Sequence, residues 1–127
     1  MEILVVEDEP EVADMLERAL RSLGARCVRA ADTEAADRLL RQREIDAVTL
    51  DLGLPGRNGL PWLESVAAER PDLARRTLVI TGQYLDSRAV ERLARCRAGM
   101  LAKPFTLDHL KDALRSQIRP PAEPRRD

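Results

Sequence analysis

Short apolar runs recur along this chain at 2–6, 26–30, 45–50, 77–81 and 99–102, and an amphipathic stretch separates each run from the next. No other feature restricts the fold as much. A short strand that is apolar nearly throughout needs cover on both faces, and the crossover helices of successive β-α-β units supply it. Helices are expected near 10–23, 33–43, 60–69, 86–96 and 107–118. In the first, Pro10 suits the opening turn, Val12, Met15, Leu16, Ala19, Leu20 and Leu23 form one stripe at helical spacing, and Gly24 stops it. Asp32 or Thr33 can cap the second helix, Asp86 the fourth and Thr106 the fifth.

Run 45–50 reads as a central strand, whereas Arg26, Cys27, Val28, Arg29 and Ala30 alternate as an edge strand does. Right-handed crossovers then leave few topologies. The expected fold is a five-stranded parallel α/β sheet of flavodoxin-like order 2-1-3-4-5 with helices on both faces. That order sets strands 1, 3 and 4 side by side at the switch point, where ligands bind beyond the carboxyl ends.

Polar groups end four of the runs. Glu7 and Asp8 follow Ile3–Val6, Asp51 follows 45–50, Thr81 follows Leu78–Ile80, and Lys103 follows Met100–Ala102. On neighbouring parallel strands, three carboxylates, a hydroxyl and an ammonium meet at one sheet edge. Such a place suits a divalent cation and a phosphoryl group, with Asp51 set to be the nucleophile.

Composition narrows the alternatives. A length of 127 residues fits one domain with a real core, and 44% hydrophobic against 34% charged residues is an ordinary balance. A net charge of -1 gives no reason to expect direct binding to nucleic acid or to a membrane, and one Trp, one Tyr and one Phe provide no stacking platform. Cys27 and Cys96 have neither a disulfide framework nor zinc spacing and read as reduced, semi-buried thiols. No run approaches the ~20 residues of a membrane span, and nothing at the start resembles a signal peptide, so a cytoplasmic location is expected. Residues 119–127, rich in Pro and Arg, have a linker's composition and either join another domain or end the protein.

Glu7-Asp8, Asp51 followed by Leu54-Pro55 and Gly59, then Thr81 and Lys103-Pro104-Phe105 together resemble a receiver domain of bacterial two-component signalling. The resemblance covers residues 1–118 apart from the extreme N-terminus. It implies that Asp51 accepts a phosphoryl group from a histidine kinase or a histidine phosphotransfer protein, forming an acyl phosphate. It further implies Mg2+ held by Asp8, Asp51 and the backbone carbonyl of Gly53, with Glu7 acting through a bound water. Lys103 and the Thr81 hydroxyl would each meet a phosphoryl oxygen, which is positioning and electrostatics with no general base required. Gly82, small, would leave access for the donor histidine, while Gly53 and Gln83 would tune the acyl-phosphate lifetime. Pro55 and Gly59 shape the turn. The domain would then be an acceptor with slow autodephosphorylation and not an enzyme acting on a separate substrate.

Many relatives carry an aromatic switch residue three positions before the Lys; here that position is Met100, so output runs through the loop after the fourth strand and the fourth helix, with Tyr84 as a substitute reporter. Met100 and the short approach Arg97-Ala98-Gly99 resemble receivers attached to hybrid sensor kinases more than those of transcription factors. Oligomeric state is left open, the fourth and fifth helices being the face of interest.

Rival readings have specific markers. Dehalogenase-like phosphatases place a second Asp two residues after the nucleophile, where this chain has Gly53. A dinucleotide binder would show GxGxxG after the first strand, which is missing. A pseudo-receiver, docking without phosphorylation, would lack part of the acidic pocket or the Lys, and this chain has all of them. His109 is expected to be an exposed helix residue and Trp62 a packing residue. Arg88, Arg92 and Arg95 share a helix face that is either solvated and salt-bridged or a docking surface.

Overall fold

Five parallel strands, β1 (Glu2–Val6), β2 (Arg26–Ala30), β3 (Ala47–Asp51), β4 (Thr77–Thr81) and β5 (Gly99–Ala102), form one sheet in the order β2-β1-β3-β4-β5. The structure, a computed structural model, describes residues 1–54, 59–82 and 85–118. Pro55, Gln83, Tyr84 and the segment 119–127 lie outside the described residues. The helices among the described residues are α1 (Pro10–Ser22), α2 (Thr33–Gln42), α3 (Gly59–Glu69), α4 (Pro71–Arg75), α5 (Ser87–Cys96) and α6 (Leu107–Gln117).

Strand alternation sorts the core into two layers. Leu4, Val6, Val48, Leu50 and Val79 face α2, α3, α4 and α5, where Ala36, Leu60, Leu63, Leu73 and Leu93 meet them. Ile3, Val5, Ala47, Leu78 and Ile80 face α1 and α6, packing on Leu16, Leu20, Leu110 and Leu114. Strands β3 and β4 are buried along their whole length, as central strands must be, while β2 and β5 form the edges. The α1 stripe contains Ala13 in addition to the expected positions. Gly24, at φ 86°, follows the C-terminus of α1 in the left-handed region that favours glycine. Asp32, Asp86 and Thr106 cap α2, α5 and α6 by accepting from the backbone N–H three residues on.

Two expectations shift. The third strand begins at Ala47 and includes Asp51, where the sequence suggests 45–50. Asp46 is engaged at the sheet's lower end: its Oδ2 accepts from Glu2 N–H at 2.7 Å and its carbonyl from Arg76 Nε at 2.6 Å. The short helix α4 is additional, and its five residues are too few to carry a periodic signal.

Thr49, on central β3, is 1% exposed, and its hydroxyl has no hydrogen-bond partner among the described residues. A buried unpaired hydroxyl costs about 1–3 kcal/mol, and Val has nearly the same shape. Thr49→Val is therefore expected to stabilise the domain by about 1 kcal/mol, read as a higher urea midpoint at unchanged slope. A lower midpoint would reveal a partner for the hydroxyl.

Candidate functional site

The carboxyl ends of β1 and β3 bring Glu7, Asp8 and Asp51 together. One carboxylate oxygen of each lies within 4.8 Å of the others. Glu7 follows β1, and its N–H donates to the carbonyl of Ala30 at 3.0 Å, so the backbone of the edge strand fixes it. Asp51 is the last residue of β3 and 6% exposed; its Oδ1 accepts from Gly53 N–H at 2.9 Å, an Asx turn that aims the carboxylate. A Cβ at Gly59, the first residue of α3, would stand 3.2 Å from the Asp51 carbonyl oxygen and 3.3 Å from Leu50 Cδ1. The start of α3 thus supports the acidic turn from beneath and has little room for a side chain.

Lys103 and Thr81 come from the adjoining strands. Lys103 N–H donates to the Thr81 carbonyl at 2.8 Å, and the Lys103–Pro104 peptide is cis. Its Nζ stands 4.0 Å from Glu7 Oε1. Thr81 ends β4 and is buried. A Cβ at Gly82 would meet Lys103 Cδ at 3.6 Å, ordinary contact, so alanine fits there.

Glu7 is electrostatically the most unusual residue. Burial, a side-chain hydrogen bond with Asp51, and the Asp51 charge push its carboxyl up to about 8, against the pull of Glu9 N–H and Lys103. Glu9 N–H donates to Oε2 at 3.2 Å. Oε1 accepts no hydrogen bond among the described residues. With both groups ionised, the Glu7 and Asp51 carboxylates repel each other, and Lys103 and the Glu9 N–H offset only part of that repulsion. An orphaned buried oxygen beside two further carboxylates has the hard-oxygen character a divalent cation takes, so the residues fit Mg2+.

The remaining expectations fall elsewhere. Met100 is 49% exposed on β5, in register with Val79 of β4. Trp62 is buried and its Nε1 donates to Asp37 at 2.7 Å, a packing role. His109 is exposed on α6. Arg92 forks onto Glu64, while Arg88 and Arg95 are exposed. Cys27 and Cys96 are free thiols, the first half-buried and the second buried. Sequence reasoning did not anticipate the Glu9 N–H contact, because a backbone donor leaves no mark on residue type.

Strand order and the placement of an acidic cluster with a Lys at its rim define the class: a receiver domain of two-component signalling. Comparison with known proteins gives the same answer. The family model of the response regulator receiver domain matches residues 3–115. TcrX of Mycobacterium tuberculosis is 36% identical over 121 residues, covering 92% of this chain and 49% of that protein. The virulence sensor protein BvgS of Bordetella pertussis is 33% identical, covering 93% of this chain and 10% of its own length. A response regulator from Burkholderia pseudomallei, crystallised with a phosphorylated aspartic acid, calcium ion and citrate, superimposes with a TM-score of 0.75 at 28% identity, covering 91% of this chain and 66% of that one. The chain belongs to the response regulator receiver domain family. It spans about half the length of curated relatives such as TcrX.

Proposed function

We propose that Asp51 is the phosphoacceptor of this receiver, taking its phosphoryl group from the phosphohistidine of a kinase or phosphotransfer protein. The observation that carries this reading is the meeting of Asp51 with Glu7 and Asp8 at the strand ends, with Lys103 at the rim. A carboxylate oxygen of Asp51 attacks phosphorus, a P–O bond forms as the P–N bond breaks, and the leaving imidazole nitrogen takes up a proton. The attacking oxygen carries no proton, so no general base is needed. Asp8, Asp51 and the Gly53 carbonyl would hold Mg2+, with Glu7 reaching it through a water. When bound there the ion supplies positive charge against the carboxylates and one phosphoryl oxygen.

Lys103 would pair with a second phosphoryl oxygen and the Thr81 hydroxyl with a third. The aspartyl phosphate of the Burkholderia protein supports the acceptor assignment by analogy at 28% identity. The pseudo-receiver alternative is not favoured, because every element of the acidic pocket and the Lys is in place. The working unit is residues 1–118, cytoplasmic, with 119–127 as a tail or linker. Its output is the loop between β4 and α5 and the α5–β5–α6 face. Relatives include both a regulatory protein and a sensor protein, and we favour a relay receiver of a sensor kinase for its Met100 and short approach to β5.

Intact mass after incubation with acetyl phosphate tests the core of the proposal. One adduct that requires Mg2+ is the expected result; its absence in protein that binds neither Mg2+ nor a phosphoryl mimic would overturn it. Lys103→Ala should keep Mg2+ affinity within about threefold, since a point charge 4.0 Å from Glu7 Oε1 and partly exposed contributes little there. It should nonetheless lose the amide-shift response of α5 and β5 to a phosphoryl mimic. A wild-type response in that variant would remove Lys103 from the switch.

A further inference from the structure

Helix α5 is fastened at two points besides its apolar side. At mid-length, Arg92 Nε donates to Glu64 Oε2 of α3 at 3.0 Å and Nη2 donates to Oε1, a two-bond fork onto one carboxylate. At its C-terminal end, the Gln117 amide of α6 donates to the Arg97 carbonyl at 3.2 Å and also to the Arg75 carbonyl. One NH2 group thereby satisfies two carbonyls at helix ends. Gly99 alongside has no room for a Cβ against that amide. The N-terminal end of α5 has a different neighbour: only residues 82–86 separate Ser87 from Thr81 at the site.

We propose that the Glu64–Arg92 pair is a resting-state latch, released when Thr81 is drawn towards a phosphoryl group on Asp51, so that α5 turns about the end pinned by Gln117. This inference rests on the phosphoacceptor reading above. The moving partner is α5, because α3 is anchored throughout. Gly59 lies against the Asp51 carbonyl, Trp62 bonds Asp37 of α2, and Leu60 and Leu63 are buried. Exposure fits release: the Arg92 and Glu64 side chains are 35% and 39% exposed, so water replaces the pair at little cost. A buried pair could not open so easily. By linkage, a contact made only in the resting state must weaken any ligand that favours the other state.

Beryllium fluoride with Mg2+, a phosphoryl mimic, tests this, with its affinity read from Trp62 fluorescence and confirmed by calorimetry. Glu64→Gln and Arg92→Gln are each expected to tighten binding by about two- to fivefold, the range an exposed pair supplies. The exchanged pair, Glu64→Arg with Arg92→Glu, should return towards wild type. Unchanged or weaker binding in both single variants, with circular dichroism intact, would reduce the pair to a structural contact and overturn the latch. Failure of the wild type itself to bind would instead fell the phosphoacceptor reading and the latch with it.

Discussion

Asp51→Asn should show no phosphoryl adduct from acetyl phosphate or from a phosphorylated kinase, at any Mg2+ concentration, while keeping the native circular dichroism. The substitution preserves shape. An Asn amide oxygen can still accept the Gly53 N–H that orients Asp51 Oδ1 at 2.9 Å. What disappears is the negative charge and nucleophilicity of the carboxylate, and an amide oxygen offers no comparable attack on phosphorus. Loss to below detection in intact mass is therefore expected, not a graded decline. Two side effects follow from removing the charge of one of three clustered carboxyl groups. Mg2+ affinity should fall, and above about pH 8, where Glu7 is ionised too, the metal-free protein should melt at a higher temperature because like-charge repulsion is relieved. A variant that still takes up one phosphoryl group would shift the acceptor to Glu7 or Asp8, which peptide mapping would identify. Retained uptake with unchanged metal affinity would remove Asp51 from the chemistry altogether.

Much of this molecule is legible in one dimension. Burial on both faces makes central strands run apolar without interruption, so β3 and β4 stand out, and β2 betrays its edge position through Arg26 and Arg29. The site is legible for a related reason. Glu7, Asp8, Asp51, Thr81 and Lys103 each close an apolar run, and a parallel sheet places all such closures at one edge. Less legible is whatever depends on contact between distant side chains. Glu64 and Arg92 are 28 residues apart, and each alone reads as a charge on a solvated helix face. The five residues of α4 fall short of one full apolar repeat. Gly59 reads as a turn glycine, and only the folded chain shows its approach to the Asp51 carbonyl. The burial of Glu7 is also three-dimensional: a Glu next to an Asp at a strand end gives no hint that one oxygen is left without a donor.

That buried oxygen sets the second large expectation, an inverted pH dependence of stability. The Glu7 carboxyl is pushed up to about 8 from 4.5, chiefly by burial and then by Asp51. A carboxyl with a raised folded-state pKa contributes stability that is complete below about pH 4.5. As pH rises, the unfolded chain releases its proton first while the folded chain retains it, so the folded state loses ground progressively until about pH 8. Wild-type protein in EDTA should accordingly be less stable at pH 8 than Glu7→Gln by an amount on the order of a few kcal/mol, and the gap should nearly close at pH 5. Thermal melts of both proteins at the two pH values measure it. Mg2+ reverses the preference, because an ionised Glu7 is the form that a cation favours. Binding near pH 7 should then release close to one proton per ion, seen by calorimetry in two buffers of different ionisation enthalpy, and Glu7→Gln should release none. A stability gap of equal size at pH 5 and pH 8 would mean that Glu7 is ionised across the range, with Lys103 and the Glu9 N–H outweighing its burial. A proton release that survives in Glu7→Gln would rule out Glu7 as its source.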